Sequence, residues 1–297
     1  MASGKDNVTM PGDRPAIIDD VRSASAHLSA LGLEVVFPAA ASVRRAVLQV
    51  ARARGWGVID HSQFGAWVHD IADNRCQWLV LDPLIAVQDS APYAQVFRLS
   101  RVLHASEWRL ELPSDQTFPA SLLGRSVGFV DDAVASGSTI RRAISMAREA
   151  GAVPTRVVVA CATSVGRAAV ASEGEPVAIQ EYTNGGHVAV HLRDACPFLP
   201  FGGRPSAAQP AIDTPNGKVN IRLPSLTRHR GLWASLFSDH RVLAASVSAR
   251  AEVTNRLSEH LNREAKVGDL PLLGPDVALP AYPRHSVTTT TALRELM

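Results

Sequence analysis

The sequence predicts an α/β protein: a mainly parallel, twisted sheet flanked by helices, with helical N- and C-terminal extensions. Three stretches carry that expectation. "TRVVVACAT" (155–163) is a continuous apolar run, the mark of a strand buried on both faces. "SVGFVDD" (126–132) is a second such run. Between them, "STIRRAISMAREAGA" (138–152) repeats Ile140, Ala143, Ile144 and Ala147 at helical spacing, opposite Arg141, Arg142, Arg148 and Glu149. Strand–helix–strand alternation at this spacing makes βαβ units, and βαβ units make parallel sheets.

The remaining elements follow in chain order. Residues 1–14 are small and polar, with Gly and Pro, and read as a disordered tail. Ile18, Val21, Ala24, Leu28 and Leu31 have a helical period, which predicts a helix over 15–34. A second helix covers 41–57, with Val43, Ala46, Val47, Val50 and Ala51 on one face and Gly55 closing it. "CQWLVLDPLIAV" (76–87) reads as a buried strand to about Asp82, followed by a turn. Residues 91–106 have apolar spacing suited to a helix, and 107–119 suit a loop or short hairpin. "PVAIQEY" and "HVAVHL" are further strands. "GGRPSAAQPAIDTPNGK" then breaks the pattern as a linker, and 226–265 is helical, with Val253, Leu257 and Leu261 on one face. The expected organisation is a tail (1–14), a helical N-terminal part or hood (15–75), a core (76–204), and a linker with a helical extension (205–297).

Composition excludes several classes. In 297 residues, hydrophobic content is 46% and charged content 20%, enough for a substantial core. A net charge of +2 gives no overall attraction to nucleic acid or membrane. The cations are almost all arginine; Lys5, Lys218 and Lys266 are the lysines. Cys76, Cys161 and Cys196 are odd in number and far apart, so no disulfide framework is expected. The N-terminus lacks the apolar core of a secretory leader, and no apolar stretch approaches the roughly 18 residues of a membrane helix. The expectation is a cytoplasmic protein in a reducing compartment, with no membrane partner.

The chemistry concentrates in "FVDDAVASGSTI" (129–140). A strand that feeds a loop and a helix N-terminus is a ready anion site, because first-turn N–H groups lack partners and the helix dipole favours negative charge. Gly137 permits a tight turn close to a phosphate. Ser136, Ser138 and Thr139 add hydroxyl donors without bulk. Asp131 and Asp132 lie where open α/β sheets bind ligands, at the carboxyl end of a strand. Carboxylates there repel phosphate and suit vicinal sugar hydroxyls. One phosphate and one diol a few ångströms apart describe a ribose 5-phosphate.

"VGFVDDAVASGST" (127–139) resembles the PRPP-binding motif of type I phosphoribosyltransferases. The resemblance implies that family's fold. It implies that Asp131 and Asp132 hold the ribose hydroxyls as the catalytic acids, and that Ala135, Ser136, Gly137, Ser138 and Thr139 cradle the 5-phosphate. It also implies Mg²⁺ carried on PRPP, with no metal site of the protein's own. A weaker similarity links "HLRDACPFLPFGGRP" (191–205) to the hood of some orotate phosphoribosyltransferases, with Cys196-Pro197 present and Leu199 at the place of the second Cys. His187, His191, Asp194 and Cys196 offer zinc-type donors there, but ordinary strand and turn roles are the expected ones.

The departures from the family pattern are specific. The pyrophosphate loop should fall in "LDPLIAVQDSAPYAQ" (81–95), which holds Asp82 and Asp89 and neither Gly nor Lys/Arg. The mobile loop should fall at 105–119 and supplies Arg109. Arg98, Arg101 and Arg109 are therefore the candidate pyrophosphate contacts. Where orotate enzymes place an Arg for the base carboxylate stands Thr163, with Arg167 four residues on, so orotate is not the expected base. The base pocket is expected from 163–167 and 182–198. Two readings result. One is transfer of phosphoribose from PRPP to a nitrogenous base. The other is a non-catalytic relative that binds PRPP or a nucleotide and regulates a partner, as a transcription regulator or an antitoxin-type protein would. The C-terminal extension is the expected surface for a protein partner, and a homodimer is compatible with the fold.

Overall fold

The structure is a computed structural model. It describes residues 12–29, 37–72, 76–86, 94–96, 100–104, 107–111, 120–172, 177–196, 204–205, 212–214, 217–219, 222–223 and 230–261. In chain order the elements are β1 (Arg14–Asp19), α1 (Val21–Ser29), α2 (Phe37–Ala53), β2 (Gly57–Asp60), α3 (His61–Ile71), β3 (Gln77–Val80), α4 (Pro83–Ala86), β4 (Ala94–Val96), β5 (Ser100–His104) and β6 (Glu107–Glu111). There follow β7 (Ser126–Val134), α5 (Ser138–Glu149), β8 (Val153–Ala162), α6 (Ser164–Ala171), β9 (Ala178–Glu181) and β10 (His187–His191). Four short strands, β11 (Arg204–Pro205), β12 (Ile212–Thr214), β13 (Gly217–Val219) and β14 (Arg222–Leu223), precede α7 (Arg230–Phe237) and α8 (His240–Leu261).

Two compact units emerge. The first comprises Met1–Ile18, Trp56–Ser100 and Leu110–Ala189. It holds a five-stranded sheet in the order β4-β3-β7-β8-β9, and every neighbouring pair is parallel. This is the α/β architecture expected. Both faces of the central strands are covered. On one face Leu79, Val127, Phe129, Val157 and Val159 pack with Ile140, Ala143, Ile144 and Ala147 of α5 and Val170 of α6. On the other, Trp78, Val80, Val130, Val158 and Ala160 pack with Phe64 and Val68 of α3 and with Ala16, Ile18 and Ile59. Each fully buried side chain of this size contributes about 1.5–3 kcal/mol. The apolar runs of β7 and β8 are continuous because neither face meets water.

Local signals account for the helix ends. Asp60 caps α3 by accepting from Ser62 N and Gln63 N at 2.9 and 3.1 Å. Gly151, at φ 75°, closes the α5 end as expected, and Gly55 does so after α2.

Two expected helices are corrected. Residues 15–34 do not begin as a helix: Arg14–Asp19 is β1, in a three-stranded sheet of order β10-β1-β2, and α1 starts at Val21. Ile17 and Ile18 are β-branched and fully buried, and pairing on both sides of β1 outweighs the helical period. The described residues of 91–106, namely 94–96 and 100–104, are not helical either. Trp78, Leu79 and Val80 of β3 pair with Ala94, Gln95 and Val96, which extends the sheet, and Ser100–His104 pairs with β6. Of 107–119, expected as a loop or short hairpin, Glu107–Glu111 is a strand paired with β5, and 112–119 lies outside the described residues.

The second unit, Asp19–Gly55 with Arg101–Arg109 and Val190–Met297, is mainly helical over its described residues. α8 packs along α2, and Val43, Val47, Val50, Trp233, Leu236, Val242 and Val253 are buried. Leu257 and Leu261, expected on the face of Val253, have side chains outside the described set. Two acids organise the polar interior. Asp19 takes a bidentate pair from Arg44, with Nε at 2.8 and 2.9 Å and Nη2 at 2.5 Å. Asp20, fully buried, accepts from Arg193 N at 2.8 Å, Arg193 Nη1 at 3.2 Å and His191 Nδ1 at 3.0 Å. Among the described residues, no helix is long and apolar enough to cross a membrane.

Gly128 leaves no room for a side chain in the main sheet. A Cβ there would stand 2.5 Å from the ring of Trp78, its register partner on β3. Gly128→Val is expected to destabilise the protein by about 1–3 kcal/mol through overpacking. The double variant Gly128→Val with Trp78→Leu should regain part of that loss. Urea unfolding of the two singles and the double reads the coupling; simple additivity would contradict the packing described.

Candidate functional site

β7 is longer than "SVGFVDD" suggests. It runs on through Ala133 and Val134, which pair with Cys161 and Ala162 of β8. On its other edge the ladder with β3 ends at Val80↔Val130, extended only by Leu81 N donating to Val130 O at 2.7 Å. Asp131 and Asp132 thus sit inside β7, just past the end of one neighbour and still paired with the other. Asp131 is half-buried and Asp132 buried. Asp131 Oδ1 accepts from Asp132 N at 3.0 Å.

The loop after β7 reaches α5 in three residues, Ala135–Gly137. Gly137 is the N-cap of α5 at φ 74°, a left-handed conformation in which a side chain is strained. α5 begins with no side-chain cap, whereas α3 and α6 are capped by Asp60 and Thr163. Ser136 and Ser138 share a hydroxyl hydrogen bond at 3.0 Å and are exposed; Thr139 is half-buried beside them. The residues expected to cradle a phosphate, Ala135 to Thr139, are therefore contiguous at the N-terminus of an uncapped helix.

A second turn supports this loop. Thr163 N donates to Val134 O at 2.9 Å, and Thr163 Oγ1 donates to Ala135 O at 2.5 Å while accepting from Gly166 N at 2.9 Å. Gly166 has no room for a side chain, since a Cβ would stand 2.7 Å from Ala135 O. The pocket expected at 163–167 thus begins as a buttress. Arg167 is bound by Glu181 through Nε at 2.5 Å and Nη2 at 2.9 Å. Glu181, through that hydrogen bond above all, holds the guanidinium above its ordinary pKa range. Asp13 accepts from Ser164 N at 3.1 and 3.3 Å and from Ser164 Oγ at 2.5 Å.

The acids converge. Burial first, then Asp132, Glu181 and Asp131, push the Cys161 thiol far above its ordinary range. It stays protonated at neutral pH and is no nucleophile. On the β3 side, Asp82 is buried and accepts from Leu84 N at 2.8 Å at the start of α4. The carboxyl edge of the sheet thus carries Asp82, Asp131, Asp132 and Glu181.

Other expected residues are not brought to this loop by anything described. Arg98 lies outside the described residues, as does Asp89. Arg101 and Arg109 are in β5 and β6, and their side chains lie outside the described set. His187 Nδ1 is 2.9 Å from Gly185 O, and His191 is held by Asp20. Asp194 and Cys196 are buried at the turn after β10. Among the described residues, no group of three His, Cys, Asp or Glu is arranged to hold a metal ion.

The sequence reading missed Asp13 and the support role of Thr163 and Gly166. Thr163 followed by Gly166 is a capping signal in plain view. Asp13 has none, because its partner is 151 positions away.

Gly137→Ala is expected to cost about 1–2 kcal/mol from its left-handed backbone. A Cβ there also stands 2.8 Å from that of Ala169, so adding Ala169→Gly should restore only a part. Thermal unfolding measures both.

No protein-family model and no curated protein matches the chain. Solved structures to which it is similar include a protein of Aquifex aeolicus, at 19% identity over 40% of this chain and 58% of that one, TM-score 0.30. They include the purine phosphoribosyltransferase of Pyrococcus horikoshii, at 13% identity over 43% of this chain and 84% of that one, TM-score 0.28. The orotate phosphoribosyltransferase of Aeropyrum pernix follows at 17% identity over 44% and 70%, TM-score 0.27. The functional reading is carried by this chain's own strand–loop–helix unit, not by these superpositions.

Proposed function

We propose that the chain binds PRPP at residues 131–139 and transfers its phosphoribosyl group to a nitrogenous base, releasing diphosphate. One observation carries this: two acids on β7 lead within five residues to an uncapped helix N-terminus lined by Gly137, Ser138 and Thr139. Asp131 and Asp132 accept from the ribose hydroxyls, and Ala135 to Thr139 receive the 5-phosphate on backbone N–H groups and hydroxyls. The C1–O bond to diphosphate breaks as C1–N forms, and the base's N–H proton leaves to solvent. Carboxylates beside the ring stabilise the positive charge that develops on it. Holding both partners in one orientation supplies much of the remaining rate.

Mg²⁺ fits the donor set. It takes one or two carboxylates and completes its shell with phosphate oxygens and water, which suits Asp131 and Asp132 beside a bound diphosphate. The ion would neutralise charge on the leaving group. Arg98 remains a proposed diphosphate contact from the protein.

A specific observation supports a second reading, a non-catalytic PRPP- or nucleotide-binding regulator of a partner. The Leu84 amide at the start of α4, just after the strand that neighbours β7, is taken by the Asp82 carboxylate. An amide so occupied is not offered to diphosphate.

Calorimetry with PRPP and Mg²⁺ tests binding. Asp131→Asn with Asp132→Asn should weaken it about 10–100-fold, the loss of two good acceptors. Unchanged affinity would sink the ribose assignment. Diphosphate release across a panel of bases then separates the readings: turnover supports the transferase, and tight PRPP binding with no release for any base supports the regulator.

A further inference from the structure

We propose that Asp13 determines base specificity at this site. Its carboxylate, seated on the start of α6, admits neutral heterocycles that present N–H or NH₂ groups and turns away bases that carry a carboxylate. The inference rests on the ribose-phosphate reading of residues 131–139 and narrows its substrate class.

The placement follows from topology. A ribose held by Asp131 and Asp132 lies over the carboxyl end of β7, whose neighbours are β3 and β8. On this reading its heterocycle lies beside the turn after one of them. The turn after β8 is joined to the phosphate loop directly: Thr163 bonds Val134 O and Ala135 O, and a Cβ on Gly137 would touch Ala169. In an unoccupied helix start, the Ser164 amide and hydroxyl would be donors suited to an anionic substituent. Here they point at Asp13 instead. Gly186 confirms that the seat is built, since a Cβ on it would collide with Asp13 Oδ1 and come within 3.0 Å of Ser164 Oγ. Arg14 N donates to Gly186 O at 2.9 Å and fixes the backbone beside Asp13.

The charges agree. Asp13 is half-buried, and its carboxylate accepts from Ser164 through both oxygens. Arg167, the cation nearest in sequence to this turn, is already bound by Glu181. The turn after β3 also presents a carboxylate, that of Asp82. A carboxylated base meets like charge on either side of the ribose, whereas an N–H or NH₂ group finds an acceptor.

The test uses nucleoside 5′-monophosphates, which share ribose 5-phosphate and differ in the base. Calorimetry should show cytidine 5′-monophosphate binding at least about tenfold tighter than orotidine 5′-monophosphate, the scale of one like-charge contact near a surface. Asp13→Asn keeps an acceptor for Ser164 N and should bring the two within about threefold, with ribose 5-phosphate affinity unchanged. Gly186→Ala, which displaces the carboxylate by crowding, should narrow the gap in the same way. Thermal unfolding confirms that each variant is folded. A wild-type ratio near one, or a ratio that neither folded variant moves, overturns the role of Asp13 while ribose 5-phosphate still binds. Failure of ribose 5-phosphate itself to bind overturns the underlying reading instead, and this inference with it.

Discussion

The parallel ladder between β7 and β8 is the constraint on which the site depends. Buried backbone groups must be paired, so the two strands stay bonded for as long as both are covered. That carries β7 two residues past its acids, to Val134, where Thr163 N makes the last bond. The same residue then stops being a strand and becomes a cap, with its hydroxyl shared between Ala135 O and Gly166 N. One ladder end therefore sets the start of the loop Ala135–Gly137 and the start of α6 together. The loop is left with three residues to reach α5, and only a left-handed Gly137 closes that distance.

The stagger of the other ladder matters as much. β3 stops pairing at Val130, so past that point the backbone of β7 is laddered to β8 alone. The resulting edge is rich in carboxylates.

Much of this was legible in the residues. The run Val157 to Ala162 admits no polar residue because both faces are covered, and Ile140, Ala143, Ile144 and Ala147 mark the buried stripe of α5. The motif from Asp131 to Thr139 is contiguous, so its order in the chain is its order in space. Residues 94–96 were not legible in the same way. Their apolar spacing suits either period, and the choice was made by β3, which offered an unpaired edge. Ile17 and Ile18 are the same case, with β10 and β2 as the partners. Asp20 shows the limit for polar residues: its partners His191 and Arg193 are 171 and 173 positions away, and no local pattern announces them.

The sequence by itself determined the parallel βαβ architecture and the candidate ribose-phosphate loop. Both are local properties, one of hydrophobic period and one of nine consecutive residues. Tertiary structure alone decided where the acids stand relative to the ends of β3 and β8, and which donors near the loop remain for a ligand. It gave the Ser164 amide to Asp13, the Leu84 amide to Asp82 and the Arg167 guanidinium to Glu181. A hydrogen-bond donor serves the partner that packing brings to it, and for Ser164 and Asp13 that pairing exists only once residues 151 positions apart have met.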